Sequence, residues 1–236
     1  MYLSKKHRLL FKELNSKLDE LEWAHIFHDS IKGFDSLNNL SLNIGRWAGN
    51  YSFFYVLFRI LKDFKPNTVL DLGLGESSKF ISTYIQNYDK KIHHTIVEQS
   101  QEWIDYFNST FSLNEQTHTI CCEIEQKDIK GFKSNYYKDL PSKLNNSKMD
   151  LVIVDGPFGS DHYSRYNVVE LFEKKLLNDE FIVLIDDYER EGEQETAKEF
   201  MHILKQNAIS FDSVEYQGKK KQLVIATPKY KYALSL

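Results

Sequence analysis

Acidic residues end or follow four apolar runs of this sequence, where carboxylates can do chemistry. Asp71 lies near the end of the first run and Glu98 ends the second, while Asp155 follows the third and the pair Asp186-Asp187 follows the fourth. Carboxylates that meet in one place can bind a metal ion, attract a cationic ligand or accept a proton from a substrate. Which of these is available depends on the elements that carry the acids.

Apolar runs alternate with segments of helical spacing along most of the chain. Strands are predicted at residues 68–72, 91–97, 117–124, 150–154, 181–185, 209–217 and 222–228, and helices at 5–28, 51–64, 77–87, 101–111, 168–177 and 193–206. Alternation of this kind predicts right-handed crossovers and parallel strands, whereas the last two strands are too close in sequence for a crossover and must be antiparallel.

We therefore predict an α/β fold, a doubly wound, seven-stranded, mostly parallel sheet with a C-terminal antiparallel hairpin and with N-terminal helices. Residues 1–50 are interpreted as an N-terminal helical extension and residues 51–236 as the main domain. Open sheets of this type bind ligands beyond the carboxyl ends of their strands. All five acids are thus expected at one edge of the sheet.

The segment VLDLGLGESS, residues 69–78, has the features of a ligand-binding turn between a strand and a helix. Gly73 and Gly75 permit a tight turn and close approach of a ligand to the backbone. Ser77 occupies the third small position, and either Ser77 or Ser78 is expected to cap the helix. Such a turn predicts a nucleotide or nucleoside cofactor.

The charges near this turn favour one cofactor over another. Glu98 ends the next strand, where a carboxylate can bind both hydroxyls of a ribose. Asp71 and Glu76 flank the glycines, and two acids are unfavourable beside the diphosphate of NAD. They suit S-adenosylmethionine (AdoMet), whose methionine ammonium group Asp71 would meet directly or through water.

At this point the sequence resembles the class I AdoMet-dependent methyltransferases over roughly residues 50–228. The similar segments are VLDLGLGESS, TIVEQS, DLVIVDGPFG and FIVLIDDYER, together with the terminal hairpin. The resemblance implies an AdoMet site lined by Asp71, Gly73, Gly75, Ser77 and Glu98. The chain departs from the family pattern where Ser77 replaces a third glycine.

The acids after the fourth and fifth strands of the predicted sheet also resemble a known arrangement. In catechol-type, metal-dependent O-methyltransferases an acid and an acidic pair hold a divalent cation, and here Asp155, Asp186 and Asp187 would be the Mg²⁺ or other divalent-cation ligands. Those enzymes commonly carry a lysine base where this chain has Phe158. His162 in the following loop is then a candidate base, and Asp155 or Asp186 is the base if no metal is present.

Two basic features of the sequence have more than one interpretation. Arg165 and Arg190 follow the acids closely and either bind an anionic group of the substrate or balance the carboxylates. The run Lys219-Lys220-Lys221 is predicted to be a solvated turn. In the segment 43–51, Arg46 and Trp47 either close over the cofactor or belong to a packed N-terminal cap.

The composition restricts the partners. A net charge of −4 and an isoelectric point of about 6.1 argue against a nucleic-acid partner. The sequence contains no long apolar segment that predicts a signal peptide or a membrane span, so we expect no membrane partner and a cytoplasmic location. The apolar face of the first helix makes a homodimer an open option.

The function expected from these features is AdoMet-dependent methylation of a small-molecule or glycan acceptor. O-methylation of a hydroxylated or sugar-type acceptor, with or without a divalent metal, fits the acids best. The alternatives are an NAD(P)-linked oxidoreductase and a non-catalytic AdoMet-binding protein of the same fold.

Overall fold

The computed structural model describes residues 5–45 and 47–236, in which helices and strands alternate as expected. The strands are β1 (Thr68–Leu72), β2 (His93–Glu98), β3 (Thr117–Cys121), β4 (Ile124–Ile129), β5 (Phe132–Tyr137), β6 (Met149–Val154), β7 (Leu177–Ile185), β8 (Asp212–Gln217) and β9 (Lys221–Ala226). The helices are α1 (Lys5–Ser30), α2 (Asp35–Asn38), α3 (Tyr51–Arg59), α4 (Glu76–Asn87), α5 (Gln101–Thr110), α6 (Leu140–Lys143), α7 (Asn167–Glu173) and α8 (Glu191–Gln206). A π-helical turn (Ile60–Phe64) extends α3, and a 3-10 helix (Pro228–Leu234) follows β9.

The main sheet has seven strands in the order β3-β2-β1-β6-β7-β9-β8. The first five strands in this order are parallel, and β9 is antiparallel to both β7 and β8. The predicted fold class is therefore confirmed. The chain moves outward from β1 to β3 and then returns to β6, so the topological switch point lies between β1 and β6, where such sheets bind ligands.

The central strands are apolar on both faces, which buries the sheet between two layers of helices. In β1, Val69 packs in a cluster with α1, α3 and α4, whereas Leu70 packs on the opposite face with α7 and α8. Each such side chain contributes roughly 1.5–3 kcal/mol when it is fully buried. This packing holds the ends of β1 and β6 in fixed positions at the switch point.

The N-terminal helix contacts the main domain through its C-terminal half. Phe27 is buried in the core beside Phe54 and Phe80, and the Trp23 indole donates a hydrogen bond of 2.8 Å to the carbonyl of Gln217. The described side chains between residues 7 and 15 are exposed. No helix in the described part of the chain is long and apolar enough to cross a membrane.

Strands β4 and β5 form a separate antiparallel hairpin that the sequence did not predict. Most of its residues are polar, β4 has no buried residue and β5 buries only Ser134, Tyr136 and Tyr137, so the hairpin lacks the apolar run by which the other strands were recognised. Lys130 and Gly131 join the strands with φ angles of 55° and 89°, which is the left-handed pair of a two-residue hairpin turn. Gly131 was the available local signal for this turn.

Some predicted boundaries change for local reasons. Helix α4 begins at Glu76 after Gly75, and the Ser78 hydroxyl in its first turn accepts from the Gly75 N–H at 3.2 Å, while both Ser77 and Ser78 donate to Asp71. Helix α7 ends at Glu173, since Lys175 adopts a left-handed φ of 59° before β7 begins. These shifts do not move the predicted strand ends at the switch point.

Candidate functional site

The turn after β1 is held against the loop that follows β6. Gly73 has a φ of 115°, and its N–H donates to the carbonyl of Val97 at 2.8 Å. A Cβ atom at Gly73 would be in van der Waals contact with the Gly156 backbone nitrogen at 3.4 Å, and the positive φ would strain any other residue here. The glycine predicted from the G-x-G spacing is therefore required by the turn.

Asp71 lies at the base of this turn and is buried. Its Oδ2 accepts hydrogen bonds from the hydroxyls of Ser77 at 3.0 Å and Ser78 at 2.7 Å, and Nε2 of His94 lies 3.8 Å away. Its Oδ1 is buried without a hydrogen-bond partner. A buried carboxylate oxygen without a partner costs free energy unless a ligand or water reaches it, so this atom fits a site that receives a donor.

Glu98 is also buried, and its carboxylate is directed at the turn. Oε1 accepts from the backbone N–H groups of Gln99 at 2.8 Å and Ser100 at 2.9 Å, and Oε2 accepts from Leu74 at 3.2 Å. A carboxylate offers about four acceptor sites, so capacity for a ribose hydroxyl remains. Among the residues that the structure describes, no Lys or Arg forms an ion pair with Asp71 or Glu98.

Tyr137, at the end of the unpredicted hairpin, is a site residue that the sequence did not reveal. Its hydroxyl lies 3.2 Å from both the Val97 carbonyl and Oε1 of Gln99, and a Cβ atom at Gly156 would lie 2.4 Å from it. Burial, followed by the charge of Glu98, raises the pKa of this phenol well above its usual value. The neutral hydroxyl thus forms part of the wall at the switch point.

Asp155, Asp186 and Asp187 come together as predicted, with one oxygen of each within 4.8 Å of the others. We call these three residues the acidic cluster. Nη2 of Arg165 lies 3.2 Å from Asp155 and 3.0 Å from Asp187, and its Nε lies 3.6 Å from Glu193. The Arg165 side chain is only 5% exposed, so a buried guanidinium already occupies the centre of these carboxylates.

The solvated turn predicted at residues 219–221 is wrong for Lys220. Its ammonium group lies 2.9 Å from Oδ1 of Asp187 and 3.4 Å from Oδ2 of Asp186. Gln222 donates to the other Asp186 oxygen at 2.9 Å. The terminal hairpin places Lys220 next to β7, a long-range arrangement that no local pattern indicates.

Arg190 adds a third cation, 3.0 Å from Oδ2 of Asp187, and its side chain is 48% exposed. Both arginines therefore balance the acids, which was one of the two predicted roles. Arg165 and Asp187 both adopt left-handed φ angles, 58° and 55°. Such backbone costs about 1 kcal/mol or more per residue outside glycine, and the ion pair helps to hold it.

The environment shifts the pKa values of Asp155 and Asp187 in opposite directions. Burial raises the pKa of Asp155, aided by the charges of Asp186 and Asp187 and opposed by Arg165. For Asp187 burial acts in the same direction, but Arg165 and Lys220 outweigh it and the pKa is lowered. Asp155 is also the more accessible group, with 23% of its side chain exposed against 4% for Asp187.

The acidic cluster therefore fits a divalent cation poorly. Oxygen atoms that a Mg²⁺ or Ca²⁺ ion would need are bonded to Arg165, Lys220 and Gln222, and an added cation would face two nearly buried positive charges. Three carboxylates alone would repel one another, and the protein relieves this repulsion with its own side chains.

His162 lies in a different part of the edge, and no described contact joins it to the acidic cluster. Its Nδ1 lies 3.0 Å from Oε1 of Glu195, and its ring packs on Phe132 with a centroid distance of 4.0 Å. It borders a polar cavity of about 400 Å³ between residues 159–162, Gln126 of β4, and Phe132, Lys133 and Asn135 of β5. A Cβ atom at Gly159 would lie 3.6 Å from Nη1 of Arg190, so the cavity lies near the exposed arginine that pairs with Asp187.

The segment before α3 contacts the start of α4, next to the G-x-G turn that follows β1. The backbone N–H and the side chain of Asn43 both donate to Glu76 at 3.2 Å. Trp47 is 94% exposed, and Arg46 lies outside the described residues. Asn43 therefore lies beside the turn, the exposed Trp47 is not part of a packed cap, and closure over a cofactor stays a prediction.

No family model matches the chain, and no curated protein sequence matches it significantly. Solved structures do match it. An O-methyltransferase from Bacillus cereus in complex with SAH has a TM-score of 0.53 at 12% identity, covering 89% of this chain and 90% of that chain. An SAH-bound methyltransferase from Podospora anserina has a TM-score of 0.50 at 12% identity, covering 96% and 97%.

A precorrin-6y C5,15-methyltransferase from Geobacter metallireducens has a TM-score of 0.50 at 10% identity, covering 78% of this chain and 92% of that chain. Identities this low establish the fold and not the reaction. The resemblance seen in the sequence is confirmed at that level, since the chain has the fold of class I methyltransferases. One of these structures is named an O-methyltransferase and another a C5,15-methyltransferase, so the acceptor must be argued from the site.

Proposed function

We propose, from a fold shared with class I methyltransferases, that this protein transfers the methyl group of AdoMet to a hydroxyl oxygen of a small hydroxylated or sugar-type acceptor. One observation carries the proposal. At the switch point, the buried carboxylates of Asp71 and Glu98 receive hydrogen bonds from hydroxyl and backbone N–H groups and form no ion pair with a described Lys or Arg. An edge of this charge suits a cationic nucleoside and disfavours a diphosphate.

The residues at the turn have distinct tasks in binding. Glu98 would accept hydrogen bonds from the ribose hydroxyls, and the free Oδ1 of Asp71 would accept one from the methionine ammonium, directly or through water. Gly73 and Gly75 let the backbone approach the cofactor closely, and Ser77 holds the Asp71 carboxylate. Bound AdoMet supplies an electrophilic methyl group on a sulfonium centre.

Asp155 is the best candidate to accept the hydroxyl proton of the acceptor. It follows β6 at the switch point, it is the most exposed member of the acidic cluster, and its raised pKa lies closer to neutral pH than that of an ordinary carboxyl. A cationic group bound nearby would lower that pKa and favour the carboxylate. Asp186 and Asp187, held by Lys220, then position Asp155 and Arg165.

The polar cavity beside His162 is our candidate for the acceptor site. The Phe132 ring offers a flat apolar surface, and Asn135, Lys133 and Gln126 offer donors and acceptors for hydroxyl groups. The contact of His162 Nδ1 with Glu195 fixes the ring and leaves Nε2 for a ligand. His162 remains the second candidate base.

We propose that the reaction needs no divalent metal, because Arg165 and Lys220 already satisfy the acidic cluster. An NAD(P)-linked oxidoreductase is disfavoured by the acids around the turn. A non-catalytic AdoMet-binding protein would share the turn and the cluster, and only an activity measurement separates it from an enzyme.

Calorimetry with AdoMet, S-adenosylhomocysteine and NADH tests the cofactor. We expect the first two to bind and NADH not to bind; binding of NADH alone would overturn the proposal. Formation of S-adenosylhomocysteine is then measured against a panel of sugars and small phenols or alcohols. Cofactor binding without transfer to any acceptor would favour the non-catalytic alternative.

The Asp155→Asn and His162→Gln variants separate the two candidate bases. Loss of Asp155 as the base should lower kcat by roughly 10²–10⁴-fold with AdoMet binding retained. His162→Gln should mainly raise KM for the acceptor. The reverse pattern would make His162 the base.

A further inference from the structure

Helix α1 has apolar side chains on two opposite faces, and the main domain covers one of them. On the other face lie Phe11, Leu14, Leu18 and Leu21, which are 52–61% exposed. Their spacing of three, four and three residues is the heptad spacing of a coiled-coil seam. We call these four residues the α1 seam.

An exposed seam of this kind calls for a partner helix. The described side chains between residues 7 and 15 are exposed, so the first half of α1 extends beyond the domain without packing on it. Short helices without packing are marginal in water, and contiguous exposed apolar surface marks an interaction site.

The positions of the α1 seam are symmetric about residue 16. In an antiparallel pair of α1 helices with a two-fold axis near that residue, Phe11 packs against the partner's Leu21, and Leu14 packs against the partner's Leu18. Each copy supplies both halves of every contact, as a two-fold interface requires. Ser16 faces the main domain, with its Oγ 3.5 Å from the Gly218 carbonyl, so the two domains lie on the outer sides of the pair.

The charges of α1 favour the same orientation. Residues 5–17 contain five Lys or Arg and one Glu, whereas residues 18–30 contain four acids and no Lys or Arg. An antiparallel pair sets each basic half beside an acidic half, with Arg8 near the partner's Glu22, and a parallel pair sets like charges together. In this pair Lys17 would lie near Lys17 of the partner subunit. The repulsion between them is reduced because the Lys17 ammonium group is paired with Glu13 of the same helix at 2.8 Å.

We propose that the protein forms a homodimer through an antiparallel two-stranded coiled coil of α1 helices. This inference rests on the free face of α1 and stands whether or not the chain is a methyltransferase. The exposed α1 seam would contact the partner subunit, while the C-terminal half of α1 packs on its own domain.

Sedimentation equilibrium of the full chain at micromolar concentration tests the dimer. We expect twice the 27.8 kDa mass of one chain for the wild type. Leu14→Glu buries charges in the seam and should weaken the dimer at least roughly 100-fold, giving monomers with an unchanged circular dichroism spectrum. Tyr106→Glu, at an exposed aromatic residue on α5, is the matched control and should remain dimeric.

Charge exchange tests the orientation. Arg8→Glu alone and Glu22→Arg alone should each weaken the dimer, and the double variant should recover wild-type affinity. A monomeric wild type, an assembly larger than a dimer, a dimer unaffected by Leu14→Glu, or a double variant weaker than either single one would overturn the proposal.

Discussion

Two groups of carboxylates share one edge of the sheet, and they differ in what balances their charge. Asp71 and Glu98, beside the G-x-G turn, are bonded to serine hydroxyls and backbone N–H groups. Asp155 and Asp187, which follow the next two strands of the sheet, β6 and β7, lie within 3.2 Å of the Arg165 guanidinium. The first group has no described Lys or Arg as a partner, whereas the second is paired with a buried arginine of the fold.

The sequence predicted a cationic ligand for each group, AdoMet for Asp71 and Glu98 and a divalent metal for the acidic cluster. The difference in their partners distinguishes the two predictions. We therefore propose a binding role for Asp71 and Glu98 and a mainly structural role for the acidic cluster, whose most exposed member is Asp155. Substitutions in the acidic cluster should therefore mainly lower stability, whereas substitutions at the turn should mainly weaken cofactor binding.

The largest effect is expected when the acidic cluster loses its central cation. Arg165→Met leaves Asp155 and Asp187 without their main partner and should lower the free energy of unfolding by roughly 3–5 kcal/mol. Arg190→Met, which removes an exposed cation from the same Asp187 oxygen, is the control and should cost less than about 1 kcal/mol. Urea denaturation measures both values, and equal costs would contradict a structural cluster built around Arg165.

A smaller effect, on binding, is expected at the turn. Glu98→Gln should weaken AdoMet binding by roughly 10–100-fold, since it removes a charge-assisted acceptor. Glu76→Gln is the matched control, because Glu76 is already neutralised by Lys79 at 2.8 Å. Calorimetry with S-adenosylhomocysteine, which lacks the sulfonium charge, should show a smaller loss for Glu98→Gln than AdoMet does. An equal loss would indicate hydrogen bonding without a charge contribution.

The features of the two carboxylate groups that depend on a local sequence pattern could be predicted from the sequence. The apolar runs located the strand ends, and hence Asp71, Glu98 and the three acids of the cluster. Arg165 and Arg190 were predicted as candidates to balance the acids because they follow them in the sequence, whereas Lys220 was not, because it comes from the terminal hairpin. Tyr137 was missed because β5 has polar residues at its centre and lacks the apolar run that predicts a buried strand.

The pH dependence of stability should have opposite signs at two acids of the cluster. The pKa of Asp155 is raised above its unfolded value of 3.8, so the stability it contributes is present below that pH and is lost as pH rises through the folded value. Asp155→Asn should therefore gain stability relative to wild type between about pH 4 and pH 8.

The pKa of Asp187 is lowered from 3.8, so its contribution is present above that pH and is lost as pH falls through the folded value. Asp187→Asn should be less stable than wild type at neutral pH, with the difference narrowing below about pH 4. Thermal unfolding across this range should show shifts of about 2–4 °C per kcal/mol. Shifts of the same sign would mean that the two acids share one environment.

The smallest effect expected is that of removing divalent metals. If the Arg165 guanidinium and the Lys220 ammonium take the place of a cation in the acidic cluster, EDTA should leave the rate of methyl transfer unchanged, and added Mg²⁺ should not raise the melting temperature. Lys220→Met sharpens the test. This variant lacks one of the cations that compete with Mg²⁺ for the oxygens of the acidic cluster. We expect Mg²⁺ to raise the melting temperature of the variant measurably, although it does not raise that of the wild type. A wild-type protein that loses turnover in EDTA and regains it with Mg²⁺ would show that the ion pairs rearrange to admit a metal, and the contrast between the two carboxylate groups would then no longer hold.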